Sequence, residues 1–439
     1  MYISRLKISN ILGFQHDRNV DLGFQRPDGS YAGWTVLAGR NGSGKTSVLR
    51  SLALAAIGFN AAQHVAPNYP AWRSRGSGHI SVEHALDPVE AEGAGESGYV
   101  TTDIKLPRPV ERVLESGGRS TVHSFWTHPG VEIPTRNWFV AGYGPFRRLS
   151  DTFQSGPSDT EVSDTVRASS RVTTLFDENE SLAEGVTWLL SLHVQRLEKN
   201  EGARELLRTV IAVLGDGLLP DGYRVSRIDS RGLWVKNGDT HFPLTEMSDG
   251  YRAVTALVLD LIRGMHGFYG SLETGRGKGA RKTVLHPGVV LIDEIDAHLH
   301  ISWQKRIGGW LKAHFPNIQF IVTTHSPYAC QAADPGGLIR LAGPGEARSP
   351  EVVGQDLYRR IVHGSGDDAA LSELFGLDSP YSPEGEALRR ELIALEESVF
   401  AGTATKRQTA RYHELAEVLS SSSTARVDEV AARLGGGHK

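Results

Sequence analysis

The stretch that decides the fold of this chain is Gly39-Arg40-Asn41-Gly42-Ser43-Gly44-Lys45-Thr46. It fits G-x-x-x-x-G-K-[ST], the pattern of a phosphate-binding loop. An apolar run at residues 34–38 precedes it and predicts a buried strand, and residues 47–56 follow with a pattern typical of a helix. A strand, a glycine-rich turn and a helix in this order form the context that the motif requires. A chance glycine-rich turn is the weaker alternative.

This loop predicts a nucleotide site. Its glycines allow backbone N–H groups to turn toward a phosphate, and the helix N-terminus adds positive potential. Lys45 is expected to reach the β- and γ-phosphates, and Thr46 is expected to ligate Mg²⁺. ATP and Mg²⁺ are therefore the predicted cofactors. The predicted nucleotide contacts in this segment are Gly39, Arg40, Asn41, Gly42, Ser43, Gly44, Lys45, Thr46 and Ser47.

The composition is that of a globular protein: 39% of the 439 residues are hydrophobic and 22% are charged. No apolar run has the length of a membrane span, so no membrane partner is expected. Residues 1–8 alternate like a strand and predict no signal peptide. A formal charge of −4 argues against a strongly basic surface for nucleic acid. Cys330 is the single cysteine, which excludes an internal disulfide and suits a reducing cytoplasm, the expected location.

A pair of carboxylates follows the apolar run 288–292, which is typical of a strand buried on both faces of a parallel sheet. The strand would place Asp293 and Glu294 at the carboxyl edge of the sheet, where nucleotides bind. Asp293 is expected to hold Mg²⁺, and Glu294 to orient or deprotonate the attacking water. A solvated strand end is the alternative. Downstream of a phosphate-binding loop the catalytic interpretation is favoured.

A histidine ends the next predicted strand. Residues 319–323 are predicted to form this strand, and His325 follows two positions later. An imidazole at this point can donate a hydrogen bond to a γ-phosphate. A lone histidine is more often structural. The order of loop, acidic pair and histidine is what makes His325 the third catalytic candidate, with Lys45 and Glu294.

These motifs resemble a known family. The run from Asp293 to His300, followed by Trp303-Gln304, residues 315–320 and residues 324–327, is similar to ABC-type ATPases of the SMC, RecF and OLD lineage. Within that lineage the resemblance is to compact prokaryotic ATPases of anti-phage systems, the Septu-type subunits. It covers residues 1–58 and 240–345. The motifs are specific for the ATPase class and much less so for a biological role.

The resemblance implies a signature segment that contacts the nucleotide of a second subunit. Residues 244–252 fit this role, with Asp249 where glycine is commoner. Ser248 and the amide of Gly250 could bind a γ-phosphate at a helix start, whereas an ordinary serine N-cap is the alternative. The resemblance also gives Asp296 a role toward the partner subunit. A clean glutamine loop is missing, and Gln154 is only a distant candidate.

The predicted fold class is α/β: an ABC-type P-loop NTPase head with a mixed or parallel core sheet, an antiparallel β lobe and a helical signature subdomain. We predict an N-terminal ATPase lobe at 1–148, a helical insert at 149–250, a C-terminal ATPase lobe at 251–345 and a helical region at 346–439. The pattern of residues 181–214 is helical. Residues 270–283 are interpreted as a loop rich in glycine and basic residues.

Two other groups of residues have alternative interpretations. His298 and His300 could suggest a metal site, but two histidines separated by one residue do not share a helical face and no zinc spacing accompanies them. Arg147-Arg148 and residues 276–282 are basic and could contact a phosphate backbone. A solvated loop is the favoured interpretation for both basic stretches.

Three functions remain open at this point. The resemblance implies an ATPase that dimerises around two Mg·ATP, or forms a higher homo-oligomer, and regulates an effector in anti-phage defence. The predicted effector is an HNH-type nuclease, and DNA is a further candidate partner. The second hypothesis is a RecF- or SMC-like ATPase of DNA repair or chromosome maintenance. The third is a nucleotide-sensing scaffold with little turnover.

Overall fold

The computed structural model describes residues 1–68, 72–74, 77–86, 99–106, 110–116, 119–125, 138–147, 163–278, 281–377, 379 and 381–419. The chain divides into two compact units, Met1–Phe375 and Gly376–Lys439. The four-part division expected from the sequence stays a prediction. No helix in the described ranges combines the length and apolar character needed to cross a membrane.

The strands, in chain order, are β1 (Tyr2–Ser9), β2 (Val20–Gly23), β3 (Gly33–Ala38), β4 (Gly78–Ala85), β5 (Tyr99–Leu106), β6 (Val110–Ser116), β7 (Arg119–Phe125), β8 (Val140–Tyr143), β9 (Arg224–Asp229), β10 (Gly232–Asn237), β11 (Thr240–Pro243), β12 (Thr274–Arg276), β13 (Lys282–Val284), β14 (Gly288–Ile292), β15 (Ile318–Thr324), β16 (Leu338–Arg340) and β17 (Glu351–Val352).

The α-helices are α1 (Lys45–Ile57), α2 (Phe59–Val65), α3 (Asp164–Ser170), α4 (Ala183–Leu197), α5 (Glu201–Gly215), α6 (Asp249–Tyr269), α7 (Ile301–Gln304), α8 (Ile307–His314), α9 (Pro327–Cys330), α10 (Gln355–His363), α11 (Gly366–Ala370), α12 (Pro383–Phe400) and α13 (Lys406–Leu419). Short 3₁₀ helices lie at His16–Arg18, Thr173–Leu175 and Leu244–Glu246.

A six-stranded sheet forms the centre of the first unit, in the order β17-β16-β3-β15-β14-β8. All neighbouring pairs from β16 to β8 are parallel, and β17 adds an antiparallel edge. Every residue of β14 and β15 is buried, as expected for strands covered on both faces. Because these strands run the same way, the residues that follow β3, β15, β14 and β8 emerge at one edge of the sheet.

An antiparallel sheet, β2-β1-β4-β5, lies beside the central sheet. Helix α1 packs between the two sheets and contacts β4 and β5 on one side and β8, β14 and β15 on the other. The buried amide of Gln319 on β15 also joins them, since it accepts from Ile3 N at 2.7 Å and donates to Ile3 O at 2.9 Å. These contacts fix the direction in which α1 leaves the phosphate-binding loop.

Helices α4, α5 and α6 pack against one another, and α6 also contacts β8. Strands β9, β10 and β11 form a three-stranded antiparallel sheet whose last strand leads, through the 3₁₀ helix Leu244–Glu246, to α6. The fold class predicted from the sequence, an α/β P-loop ATPase head with an antiparallel lobe and a helical lobe, is confirmed. The interpretation of residues 270–283 as a loop is wrong in part, because β12 and β13 pair there as a hairpin.

The second unit contains a helical hairpin formed by α12 and α13, which pack on each other. The side chain of Ser382 accepts from Gly385 N and caps α12, and Pro383 occupies the first turn. Arg411 on α13 forms a two-pronged ion pair with Glu391 on α12, with atoms 2.9 and 3.1 Å apart. The residues that follow Leu419 lie outside the described ranges.

Candidate functional site

The carboxyl edge of the central sheet brings together the segments that the sequence singled out. The phosphate-binding loop follows Ala38 on β3, and His325 follows Thr324, which is the register partner of Ala38 on β15. The acidic pair follows Ile292 on β14, whose partner on β8 is Tyr143. Four separate stretches of chain therefore meet around one point.

The phosphate-binding loop has the geometry of an anion cradle. Gly44, the last loop residue, has a φ of +92°, and a Cβ atom there would clash with the ring of Phe14, so only glycine fits. Lys45 is buried and donates to the carbonyls of Gly39 at 2.8 Å and Arg40 at 3.2 Å. The hydroxyl of Ser43 is buried without a hydrogen-bond partner in the described part of the chain. These donors fit a bound phosphate chain, which would give them acceptors.

Two oxygen groups suited to Mg²⁺ lie next to each other. Thr46 Oγ1 donates to Asp293 Oδ2 at 2.8 Å, although the two residues belong to different motifs. The other oxygen, Asp293 Oδ1, accepts from Thr323 Oγ1 at 2.5 Å, which fixes the carboxylate. A hydroxyl and a buried carboxylate are the kind of oxygen ligands that Mg²⁺ takes, with water completing its shell. The donor set therefore fits the predicted ion.

Glu294 is half-buried and has an unusual backbone conformation, with a φ of +46°. Its N–H donates to Thr323 Oγ1 at 2.7 Å, and its carbonyl accepts from Arg147 at 2.9 Å. A left-handed conformation costs a non-glycine residue about 1–3 kcal/mol and persists only when its surroundings hold it. Thr323 and Arg147 supply that support, so the direction of the Glu294 side chain is set by the backbone.

Arg147 is a site residue that the sequence interpretation missed. A solvated basic loop was the favoured interpretation, and it is wrong for Arg147, which is buried. Its guanidinium donates to the carbonyls of Asp293 and Glu294, both at 2.9 Å. Burial lowers the pKa of Arg147 to about 10, and the carboxylates of Asp296, Asp293 and Glu294 oppose this shift. Arg147 occupies the loop after β8 where a glutamine was sought; Gln154 lies outside the described residues.

Replacement of this guanidinium should destabilise the protein. We expect Arg147→Ala to lower stability by about 3 kcal/mol, because it removes charge-assisted hydrogen bonds and leaves buried carbonyls without donors. Thermal unfolding measures the loss, and the exposed Arg204 on α5 provides a matched Arg204→Ala control. An Arg147→Ala melting temperature equal to that of the control would contradict this role.

His325 and Asp296 lie on adjoining segments at the same edge. Asp296 Oδ1 accepts from Thr324 Oγ1 at 2.5 Å and from His325 N at 3.4 Å. Partial burial lowers the pKa of His325 from its ordinary value of 6.5, and the positive charge of the nearby Lys45 lowers it further. The imidazole is therefore neutral near pH 7 and can donate one hydrogen bond. The predicted role of Asp296 toward a partner stays a prediction.

The predicted signature residues lie at the start of α6. Ser248 occupies the N-cap position, but its side chain makes no capping hydrogen bond, and it is exposed. A Cβ atom at Gly250 would collide with the carbonyl oxygen of His298, so the helix start and the segment after the acidic pair pack closely. Ser248 and Gly250 line a groove with Leu219, Tyr251, Val254, His298, Leu299, His300 and Trp303. Ser248 and Gly250 therefore lie next to residues 298–300.

The histidines considered for a metal site have local structural roles. His300 caps α7, since its side chain accepts from Ser302 N, and His298 has a φ of +64° beside Gly250. The basic stretch 276–282 has exposed Arg276 and Lys278 at the turn of the β12–β13 hairpin. Its contact with a phosphate backbone stays a prediction.

Two family models match the chain. The model described as "AAA domain, putative AbiEii toxin, Type IV TA system" matches residues 147–330, and one described as "AAA domain" matches residues 5–70. Among curated relatives, "Septu protein PtuA" of Bacillus mycoides (strain KBAB4) is 26% identical over 74% of this chain and 38% of its own length. "Septu protein PtuA" of Bacillus thuringiensis is 29% identical over 38% of this chain and 41% of its own length.

This chain resembles the SMC- and OLD-like AAA-family ATPases of the Septu type. The resemblance stated from its motifs is confirmed. "Retron Ec83 probable ATPase" of Escherichia coli is a further relative of this chain, 35% identical over 28% of the chain and 21% of its own length. The chain spans less than half the length of these curated relatives.

Solved SMC heads also match this chain. The head in "Crystal structure of the SmcHead bound to the C-winged helix domain of ScpA" is 15% identical, with a TM-score of 0.45, over 80% of this chain and 98% of that one. "SMC head domain from Thermotoga maritima" is 16% identical, with a TM-score of 0.40, over 81% of this chain and all of that one.

Proposed function

We propose that this chain binds Mg·ATP at the carboxyl edge of the central sheet and hydrolyses it to ADP and phosphate. The observation that carries the proposal is the 2.8 Å hydrogen bond between Thr46 Oγ1 and Asp293 Oδ2. It joins the phosphate-binding loop to the acidic pair and places oxygen ligands beside Lys45 and Glu294. AAA-family models that match both segments support the same conclusion.

Each residue of the site would have its own role in binding or hydrolysis of ATP. Lys45 would exchange its loop carbonyls for phosphate oxygens, while Thr46 and Asp293 would hold Mg²⁺, which neutralises phosphate charge when bound. Glu294 would accept a proton from the water that attacks the γ-phosphate. The neutral imidazole of His325 would donate to the γ-phosphate and lose this contact once the phosphate leaves.

We also propose that two copies associate head to tail around ATP. Ser248 is exposed at the start of a 21-residue helix, where backbone amides and the helix dipole favour an anion. Its neighbours are residues 298–300. The resemblance of residues 244–252 to a signature segment implies that a γ-phosphate at Ser248 would belong to the ATP of a second subunit. Asp296 would lie along the same interface. ATP would then hold the two subunits together, and hydrolysis would release them.

One set of measurements tests the cycle. Phosphate release is followed with Mg·ATP in the presence and absence of duplex DNA, and sizing is repeated with a non-hydrolysable analogue. We expect turnover, and a shift from monomer to dimer only with the analogue. ATP binding without turnover would favour the nucleotide-sensing scaffold. DNA-stimulated turnover would add DNA to the partners, and the gene neighbourhood would then separate a defence role from a repair or chromosome role.

Ser248 provides a selective test of the interface. We expect Ser248→Arg to abolish analogue-driven dimerisation while the affinity of the monomer for ATP stays within about twofold of wild type, because the added side chain fills the exposed helix start. Analytical ultracentrifugation and calorimetry separate the two effects. Thr245→Arg, at an exposed position of the preceding turn, is the control. If Ser248→Arg formed a normal ATP-dependent dimer, the proposed contact between Ser248 and the ATP of the second subunit would be refuted.

We further propose that the cycle controls a partner effector in anti-phage defence, and that this effector is an HNH-type nuclease. The similarity to proteins named for Septu and for a retron supports this role. A search of the gene neighbourhood for an HNH-type nuclease, followed by co-expression of the two products and phage plating, tests it. Protection should require both products and should be lost with Glu294→Gln. Protection by the nuclease alone would remove the regulatory role.

A further inference from the structure

A closed ring of hydrogen bonds joins the segment after the acidic pair to the segment after β15. Thr324 Oγ1 donates to Asp296 Oδ1 at 2.5 Å, and Ser326 N donates to Thr324 Oγ1 at 2.9 Å. Ser326 Oγ donates to Gln304 Oε1 at 2.6 Å, and Gln304 Nε2 donates to Leu299 O at 2.8 Å. Leu299 N closes the ring by donating to Asp296 O at 3.0 Å. Gln304 is the ring member that reaches both segments from a third element, α7.

The orientation of the Gln304 amide follows from its partners. Ser326 Oγ accepts from Tyr328 N at 3.1 Å and from Ala329 N at 3.4 Å, so its own proton is available for Gln304 Oε1. The carbonyl of Leu299 can only accept. An amide meets both demands with its oxygen toward Ser326 and its NH₂ group toward Leu299. A carboxylate at position 304 could accept from Ser326 but would face the Leu299 carbonyl with a second acceptor.

One side of this ring adjoins His325, the residue predicted to contact the γ-phosphate, and the other side adjoins the start of α6. His325 lies between Thr324 and Ser326, both of which belong to the ring. On the far side, Leu299 and His298 pack against Gly250, with no room for a Cβ atom between the His298 carbonyl and the helix. A displacement of residues 324–326 would therefore move residues 298–299, and these would move the helix start.

We propose that Gln304 is a positioning residue that couples nucleotide binding at His325 to the Ser248 surface of the same subunit. This inference rests on the proposed function and adds a route within one chain. ATP at the carboxyl edge would draw His325 toward its γ-phosphate, and the ring would carry that shift to the surface that receives the second copy. Dimerisation would then depend on an occupied site in both subunits, a coupling between two distinct sites.

Gln304→Glu is the test because it keeps the bond to Ser326 and replaces the bond to Leu299 with a repulsion. Gln331→Glu is the matched control: Gln331 is also half-buried and donates to Gly364 O at 3.1 Å, outside the ring. Gln304→Met, which removes both bonds without adding charge, serves if Gln304→Glu fails to fold. All variants are the full chain.

The readout is hydrogen exchange of backbone amides with and without a non-hydrolysable ATP analogue, at protein concentrations where sizing shows a monomer. In wild type and Gln331→Glu, the analogue should protect residues 39–46 and change exchange at 248–252. In Gln304→Glu, protection of 39–46 should persist and the change at 248–252 should disappear. The analogue concentration for half-maximal dimerisation should rise about tenfold, within the range of typical couplings between sites.

The two proposals can fail separately. If wild-type residues 39–46 gain no protection, the proposed function fails and the coupling fails with it. If those residues are protected and Gln304→Glu retains the full change at 248–252, the coupling alone is overturned. A purely structural Gln304 would lower the melting temperature and leave the change at 248–252 intact, which also overturns the coupling.

Discussion

Glu294→Gln is expected to lower the rate of ATP hydrolysis by about 10²- to 10⁴-fold, the usual contribution of a general base, while ATP still binds. An amide of the same shape cannot take the proton from water. Removal of a negative charge near the phosphate site should leave affinity equal or higher. Because hydrolysis would cause the proposed dimer to dissociate, the variant should accumulate as a closed dimer that contains unhydrolysed ATP.

The structure makes this substitution a clean one. The conformation of Glu294 is held through its backbone, by Thr323 on the N–H and Arg147 on the carbonyl. The side-chain change leaves both bonds in place, so the melting temperature should match wild type. Glu205→Gln, at an exposed position of α5, controls for charge. Turnover of Glu294→Gln at the wild-type rate would remove Glu294 as the base.

The sequence could predict the parts of the site that are contiguous in the chain. A G-x-x-x-x-G-K-[ST] turn between a strand and a helix is typical of a phosphate-binding loop, and a parallel strand that ends before Asp293 and Glu294 places them at an edge of the sheet. His325 followed from the same rule. Their placement on the adjacent strands β3, β15 and β14 is what brings them together.

Arg147 could not be found in this way. Arg147 follows Gly144-Pro145-Phe146 in a sequence pattern that gives no sign of burial. Its partners are the backbone carbonyls of Asp293 and Glu294, which follow Arg147 by 146 and 147 positions in the sequence. A backbone carbonyl is common to all residues, so no residue type in the sequence marks these partners. Thr323 was likewise interpreted only as part of an apolar strand, although its hydroxyl bridges Asp293 and Glu294. Both roles depend on strand neighbours that the sequence does not specify.

Helical periodicity shows the same limit on a local scale. The pattern over residues 181–214 predicted helix, and the structure divides it into α4 and α5. Lys199 has a φ of +66°, and the Asn200 side chain accepts from Ala203 N to cap α5. Asn200, a residue type that often caps helices, was the one signal in the sequence for a break between two helices. The apolar periodicity concealed this break because the periodicity continues on both sides of it.

Lys45→Ala is expected to weaken ATP binding by about 10- to 100-fold, since hydrogen bonds to charged groups contribute about 1.5–3 kcal/mol each. Burial lowers the pKa of Lys45, and the carboxylates of Asp293, Glu294 and Asp296 act in the opposite direction. Without its ammonium group, these three carboxylates would face the phosphates with less compensating charge. Calorimetry measures the affinity with Mg²⁺ present.

The control for this substitution is Lys278→Ala, which removes an exposed lysine from the β12–β13 turn. Lys45 also donates to the carbonyls of Gly39 and Arg40, so Lys45→Ala could loosen the loop itself. A melting temperature measured without nucleotide separates this effect from lost phosphate contacts. If affinity stayed at the wild-type level in a folded Lys45→Ala chain, residues 39–46 would not be the phosphate-binding loop, because the lysine of such a loop is the residue that reaches the β- and γ-phosphates.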